Sequence, residues 1–225
     1  VITTDHLRSF WPDARTMARI AAVHALGDVW AMGASPQVAL AQVTLPALGP
    51  RQSREMLNEI MQAAAEVFTA AGADVVGGHT SVGAELTIGF TVTGLASRAI
   101  AKGGACLGDA LILTKPIGSG TVMAAEMANR YLPGMILGEA VASALSQMTH
   151  PNGWAAAILA PIAHAMTDVS CFGLAGHLLE MLGASGVPAT LSDVPLMEGA
   201  RALAEAGEAS SLAPSNRAAT MGRVI

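Results

Sequence analysis

HALGDVWAMG, residues 24–33, sets one acid, Asp28, among small and apolar neighbours near the end of a helical pattern. Two further runs share its character: VVGGHTS at 75–81, and MTDVSCFGLAGH at 166–177 around Asp168. Only 13% of the residues are charged, so acids in such surroundings call for a reason. Read singly, Asp28 and Asp168 serve equally well as caps or turn residues. Read together with the paired glycines of the second run, they describe acids and backbone amides at element ends, where proteins gather magnesium and phosphate.

Outward from Asp28, elements of both types alternate. Val1–Thr4 reads as a strand ending at Asp5, followed by a loop over 6–12. Asp13 caps a helix from about Ala14 to Met32 that Gly33 closes. Gln37–Leu45 is a strand stopped by Pro46, and Gln52–Ala71 an amphipathic helix with Met56, Ile60, Ala63, Ala64 and Val67 on one stripe. Ala73–Val76 is a short strand that runs into Gly77-Gly78-His79. Glu85–Leu95 is another, in which Leu86, Ile88, Phe90 and Val92 alternate with Thr and Gly, so one face belongs in a core. We expect a partner sheet to cover that face, because an uncovered flat strand invites aggregation.

Ala99–Gly108 is rich in glycine and places a domain boundary near residue 104, giving domains over 1–104 and 105–225. Beyond it the pattern predicts strands at 109–114, 166–169 and 187–191. Helices are expected from about Ser119 to Tyr131, at 137–148 and 152–164, from Phe172 to Ala184 and near 197–206. The class is α+β with mixed sheets, because the strands arrive in pairs.

Composition excludes several classes. The 225 residues carry a net charge of −5 with no cluster of Lys or Arg, which is a poor match to nucleic acid. No uninterrupted apolar stretch reaches the length of about 18 residues that a membrane helix needs. Cys106 and Cys171 stand 65 residues apart with no metal-like spacing, and a reduced, cytoplasmic protein is expected. Val1 is not an initiator Met, and VITTD reads as part of a strand already under way.

Magnesium takes oxygen ligands, typically one or two carboxylates with phosphate and water, and Asp5, Asp28 and Asp168 stand on separate elements. His24 lies four residues before Asp28 on one helix face, where it either orients the acid or simply packs. Gly77-Gly78-His79-Thr80 fits neither a P-loop nor a dinucleotide turn; it is an ordinary turn or an anion nest. Gly118-Ser119-Gly120 opens a helix, and Lys115 reads as a solvated surface lysine. His150, His164 and His177 show no partners at metal spacing. Cys106 reads as a small core residue, and the 12 Met residues as core filler.

TTD at 3–5, RIAAVHALGDVWAMGASP at 19–36, VVGGHT at 75–80, LTKPIGSG at 113–120 and AMTDVSCFGLAGHLLEM at 165–181 together resemble selenide, water dikinase (selenophosphate synthetase). The likeness runs in order to about Asn216-Arg217. Aminoimidazole ribonucleotide synthetase, thiamine-monophosphate kinase and a hydrogenase maturation factor share the architecture without this pairing of motifs. The local wording is most similar to the form fused behind an FAD-dependent NADH dehydrogenase-like module.

The resemblance implies two α/β domains of the aminoimidazole ribonucleotide synthetase-like type, the first forming a homodimer through its sheet. It implies synthesis of selenophosphate, AMP and phosphate from ATP, selenide and water. Asp28 and Asp168 match magnesium ligands, Asp5 an ATP-site acid, and Gly77, Gly78 and His79 an ATP-contacting turn contributed from the opposite subunit. Metals would neutralise the polyphosphate and selenide would attack in line. The catalytic Cys or selenocysteine, a Lys and a further Asp would lie upstream of Val1, and a last motif beyond the C-terminus. The chain alone is therefore expected not to complete turnover. His24 stands where Asn is usual. Cys171 stands where Gly is usual, at a strain cost of about 1 kcal/mol if that turn needs a positive φ. A thiamine-monophosphate kinase-like enzyme and a non-catalytic nucleotide-binding module of a fusion protein are the alternatives.

Overall fold

The computed structural model describes residues 1–224. Its elements are β1 (Ile2–Arg8), α1 (Ala14–Ala31), β2 (Ser35–Pro46), α2 (Pro50–Ala70), β3 (Asp74–Gly83), β4 (Thr87–Leu95), α3 (Ser119–Met127), α4 (Leu137–Thr149), α5 (Gly153–Leu159), α6 (Gly173–Ser185), α7 (Ala200–Glu205) and α8 (Ala213–Thr220). They form two compact units. The first is Val1–Ile100 with Thr149–Ile162, the second Ala101–Met148 with Ala163–Ile225.

The first unit is a mixed four-stranded sheet in the order β1-β4-β2-β3, with β2 and β3 parallel and the other neighbours antiparallel. β1 continues to Arg8, beyond the predicted end at Asp5, because β4 pairs with it as far as Thr87. α1 starts where Asp13 Oδ2 accepts hydrogen bonds from Thr16 N (2.8 Å) and Thr16 Oγ1. It stops at Gly33, whose φ of +65° suits glycine.

Met17, Ala18, Ala22, Ala25, Leu26 and Val29 of α1 are wholly buried, as are Ile88, Phe90 and Val92 of β4. The small alanines let α1 lie close on the sheet. α2 adds Ile60, Ala63, Ala64 and Phe68, and Phe68 meets Phe90 edge to face with centroids 5.0 Å apart. The apolar face of β4 is thus covered within the chain. The expectation that a partner sheet covers it is corrected: helices do so.

α5 belongs to this unit although it starts 58 positions after the end of β4. Gly153 sits against the Trp30 indole, where a Cβ would come within 3.0 Å, and Arg98 donates to the Ala160 carbonyl at 3.1 Å. The predicted helix over 152–164 ends at Leu159, two residues before Pro161, which cannot continue the ladder.

In the second unit α3 packs on α7 and α6 on α8. The strands expected at 109–114, 166–169 and 187–191 do not form. A strand persists only with a ladder partner, and these runs find others. Asp109 N donates back to Cys106 O, Met166 N makes one bond to Ala101 O, and Val187 N closes α6 on Leu182 O. Pro188 further removes a donor. One parallel bridge, Ile117 to Leu196, is the only strand pairing among the described residues of this unit. α8, which the apolar pattern did not announce, is an exposed helix started by Pro214.

Candidate functional site

The period of two along β1 turns Thr3, Asp5 and Leu7 toward α1. α1 presents His24 and Asp28 to them, one turn apart. Thr3 Oγ1 donates to Asp28 Oδ2 at 2.5 Å, and His24 Nε2 lies 3.6 Å from Asp5 Oδ2. The hydrogen bond from His24 holds the Asp5 carboxyl below the usual carboxylate range. Partial burial opposes the shift, while the charge of His24, the neighbouring Asp28 and His6 add to it. Two hard carboxylates with a hydroxyl and an imidazole fastening them make a donor set that fits magnesium. Gly89 allows this packing, since a Cβ there would come within 2.5 Å of His6 and 2.7 Å of the Asp5 carbonyl. Thr3 and Gly89 were not singled out from the sequence. The TTD spacing could have revealed Thr3, because residues 3 and 5 share a strand face.

Gly77, Gly78 and His79 lie inside β3, so the reading of this run as a turn is corrected. β2 pairs with β3 straight through it, with a bulge at Val76 that lets Leu40 face Gly77 after Ala39 faces Val75. Gly78 serves close approach: it has φ +156°, and a Cβ on it would overlap the Ala41 carbonyl oxygen. β3 is an edge strand, and residues 76–82 are exposed.

Asp168 lies half-buried in the connection between α5 and α6. Beside it His177 is buried, with Nε2 3.3 Å from Ser170 Oγ; burial lowers its pKa and the Asp168 carboxylate opposes this. Thr167 Oγ1 and His177 Nδ1 are buried without a hydrogen-bond partner among the described residues. Asn216 of α8 donates to the Cys171 carbonyl at 2.9 Å and steadies the loop. Cys171 has no positive φ; Gly173 takes that conformation at +68°. The strain cost anticipated for Cys171 does not arise.

Lys115 is not a solvated surface group. Burial pushes its pKa down to about 8, and Nζ donates to the Gln147 carbonyl at 3.0 Å. Cys106 is exposed rather than in the core. His164, expected from its spacing to have no metal-site partners, has Nδ1 2.9 Å from both oxygens of Asp109.

Residues 1–96 match the family model described as AIR synthase related protein, N-terminal domain, and residues 107–223 the model of its C-terminal domain. Selenide, water dikinase of Geobacter metallireducens is 40% identical over 212 residues, covering 92% of this chain and 60% of that protein. The enzyme of the same name from Desulfitobacterium hafniense is 44% identical over 192 residues, covering 82% of this chain and 53% of that protein. This chain thus spans less than two thirds of the length of these relatives. Among solved structures, thiamine-monophosphate kinase from Stenotrophomonas maltophilia superposes with a TM-score of 0.76 at 22% identity, over 93% of this chain and 70% of that one. That likeness is one of fold. Both family models fall in sequence along the chain and together match most of it: the chain belongs to the AIR synthase related protein family.

Proposed function

We propose that this chain is the ATP-handling part of an enzyme that makes selenophosphate from ATP, selenide and water, releasing AMP and phosphate. The 40% identity to a selenide, water dikinase along 92% of the chain carries this reading. The neighbourhood of Asp5 and Asp28 is consistent with it. Both acids would hold magnesium, and Asp168, within its own unit, is proposed as a further ligand. The metal would neutralise polyphosphate charge as phosphoryl transfer proceeds.

The chain's own residues prepare for this. His24 holds the Asp5 carboxyl below its ordinary range, and Thr3 fixes the rotamer of Asp28. Gly77, Gly78 and His79 offer an exposed strand edge that nucleotide phosphates would approach. Selenide is a strong nucleophile, so positioning and charge neutralisation supply most of the acceleration.

We also propose a homodimer through the sheet face turned away from the helices. Ile2, Leu40 and Leu95 are 75%, 43% and 65% exposed there, beside a row of hydrogen bonds joining Thr4, Thr91 and Gln42. Light scattering at micromolar protein is expected to give twice the chain mass, and Leu40→Lys half of that. A monomeric wild type removes the dimer.

Phosphorus NMR tests the reaction. With ATP, magnesium and selenide, a selenophosphate resonance is expected from the full-length protein that carries this chain, and not from its Asp28→Asn variant or from residues 1–225 alone. ATP consumption driven by thiamine monophosphate, with no response to selenide, replaces this reading by the kinase alternative.

A further inference from the structure

The second unit brings together three side chains that the proposed reaction does not use. Cys106 Sγ, a carboxylate oxygen of Asp109 and a ring nitrogen of His164 all lie within 4.8 Å of one another, and all three residues are exposed. The backbone is arranged to keep them there. Asp109 Oδ2 accepts a hydrogen bond from Cys106 N at 2.8 Å, closing a turn that puts thiol and carboxylate side by side. Gly104 and Ala105 donate to Ser185 Oγ at 3.2 and 3.1 Å, which pins this segment to the end of α6. Gly104 has φ +117°, and a Cβ on it would come within 2.8 Å of the His164 carbonyl oxygen. Only glycine lets the segment bearing Cys106 run so close to the one bearing His164.

The chemistry of the three donors selects the ligand. Thiolate, imidazole and carboxylate in one cluster suit zinc-class divalent cations, whereas magnesium and calcium take oxygen alone. Tetrahedral zinc, with bonds of about 2.0–2.3 Å, sets its donor atoms roughly 3.3–3.8 Å apart. Rotation of exposed side chains covers the remaining adjustment.

We propose that Cys106, Asp109 and His164 form a zinc-class metal site with three protein ligands and a fourth position open to water. Binding replaces the thiol proton of Cys106 by the metal, so one proton leaves to solvent and affinity rises with pH. The metal cross-links the segment at 104–109 to the loop that carries Asp168 four residues beyond His164. It thereby stiffens a connection that no β ladder holds.

Cobalt(II) is the probe, because a thiolate ligand gives it an ultraviolet charge-transfer band that oxygen ligands do not. Titration of the protein is expected to produce that band, and zinc to abolish it at one equivalent. Cys106→Ser is expected to lose it and Cys171→Ser to retain it. His164→Gln is expected to weaken cobalt binding by at least about 10–100-fold. Cys106 and His164 are exposed, so both variants should keep the wild-type circular dichroism spectrum. If one does not fold, Asp109→Asn is read in its place, with the same weakening expected. No band, a band unchanged in Cys106→Ser, or a band that disappears in Cys171→Ser overturns the site.

Discussion

Thr3 on β1 and Asp28 on α1, 25 residues apart, are joined by a hydrogen bond of 2.5 Å. This contact fastens the edge of the sheet to the helix at the point where the proposed magnesium ligand emerges. A hydroxyl donating to a carboxylate fixes its rotamer.

Thr3→Val should therefore weaken magnesium binding by about 10–100-fold without unfolding the chain, since such orienting partners typically contribute that much. Asp28→Asn and Asp168→Asn should each lower magnesium-dependent ATP affinity at least as far. Calorimetric titration with and without magnesium measures all three. Equal affinities in wild type and variants would take these residues out of the site.

His24→Ala should raise the Asp5 pKa toward its ordinary value of 3.8, because the largest cause of its depression is removed. A carboxyl whose folded pKa is lowered contributes stability above its unfolded pKa and loses it as pH falls through the folded value. The variant should therefore unfold at a higher pH on the acid side, while Asp5 itself is followed by carbon NMR. An unmoved Asp5 titration would show that the imidazole does not govern it.

Gly78→Ala should destabilise the chain by about 1–3 kcal/mol, the usual range for forcing atoms into filled space. The added Cβ meets the Ala41 carbonyl and not a flexible side chain that could yield. Urea denaturation gives the number. A variant as stable as wild type would mean that β3 shifts its register freely.

Lys115 predicts a slope on the alkaline side. Its folded pKa of about 8 lies below the ordinary 10.5, so between these values the unfolded chain holds a proton that the folded chain has released. Stability should rise with pH across that window, and Lys115→Met should flatten the rise. Denaturation midpoints at about pH 7 and about pH 10 compare the two proteins.

The first unit was largely legible because its signals were local. Asp13 before a helical pattern, Gly33 after it and the alternation through Phe90 each state their own element. Asp28 stood out by chemistry, but Thr3 and Gly89 did not, since their roles depend on which strand lies beside which. The run at 77–79 misled for a related reason. Paired glycines signal a turn as readily as a close approach, and only the bulge against Ala39 and Leu40 decides between them. In the second unit the apolar runs at 109–114 and 187–191 carried strand composition without ladder partners. The Cys106, Asp109 and His164 cluster joins residues 55 positions apart, which spacing along the chain does not disclose.

The return of 149–162 to the first unit has a consequence for how the protein is made. Trp30 rests on Gly153, and Ala160 receives the guanidinium of Arg98. A nascent chain that has emerged only as far as β4 lacks this closing segment, and its indole remains bare. The first unit therefore completes itself only after the whole of the second unit's leading segment, 101–148, has left the ribosome. Until residues 149–162 arrive, Trp30 lacks the cover that Gly153 gives it.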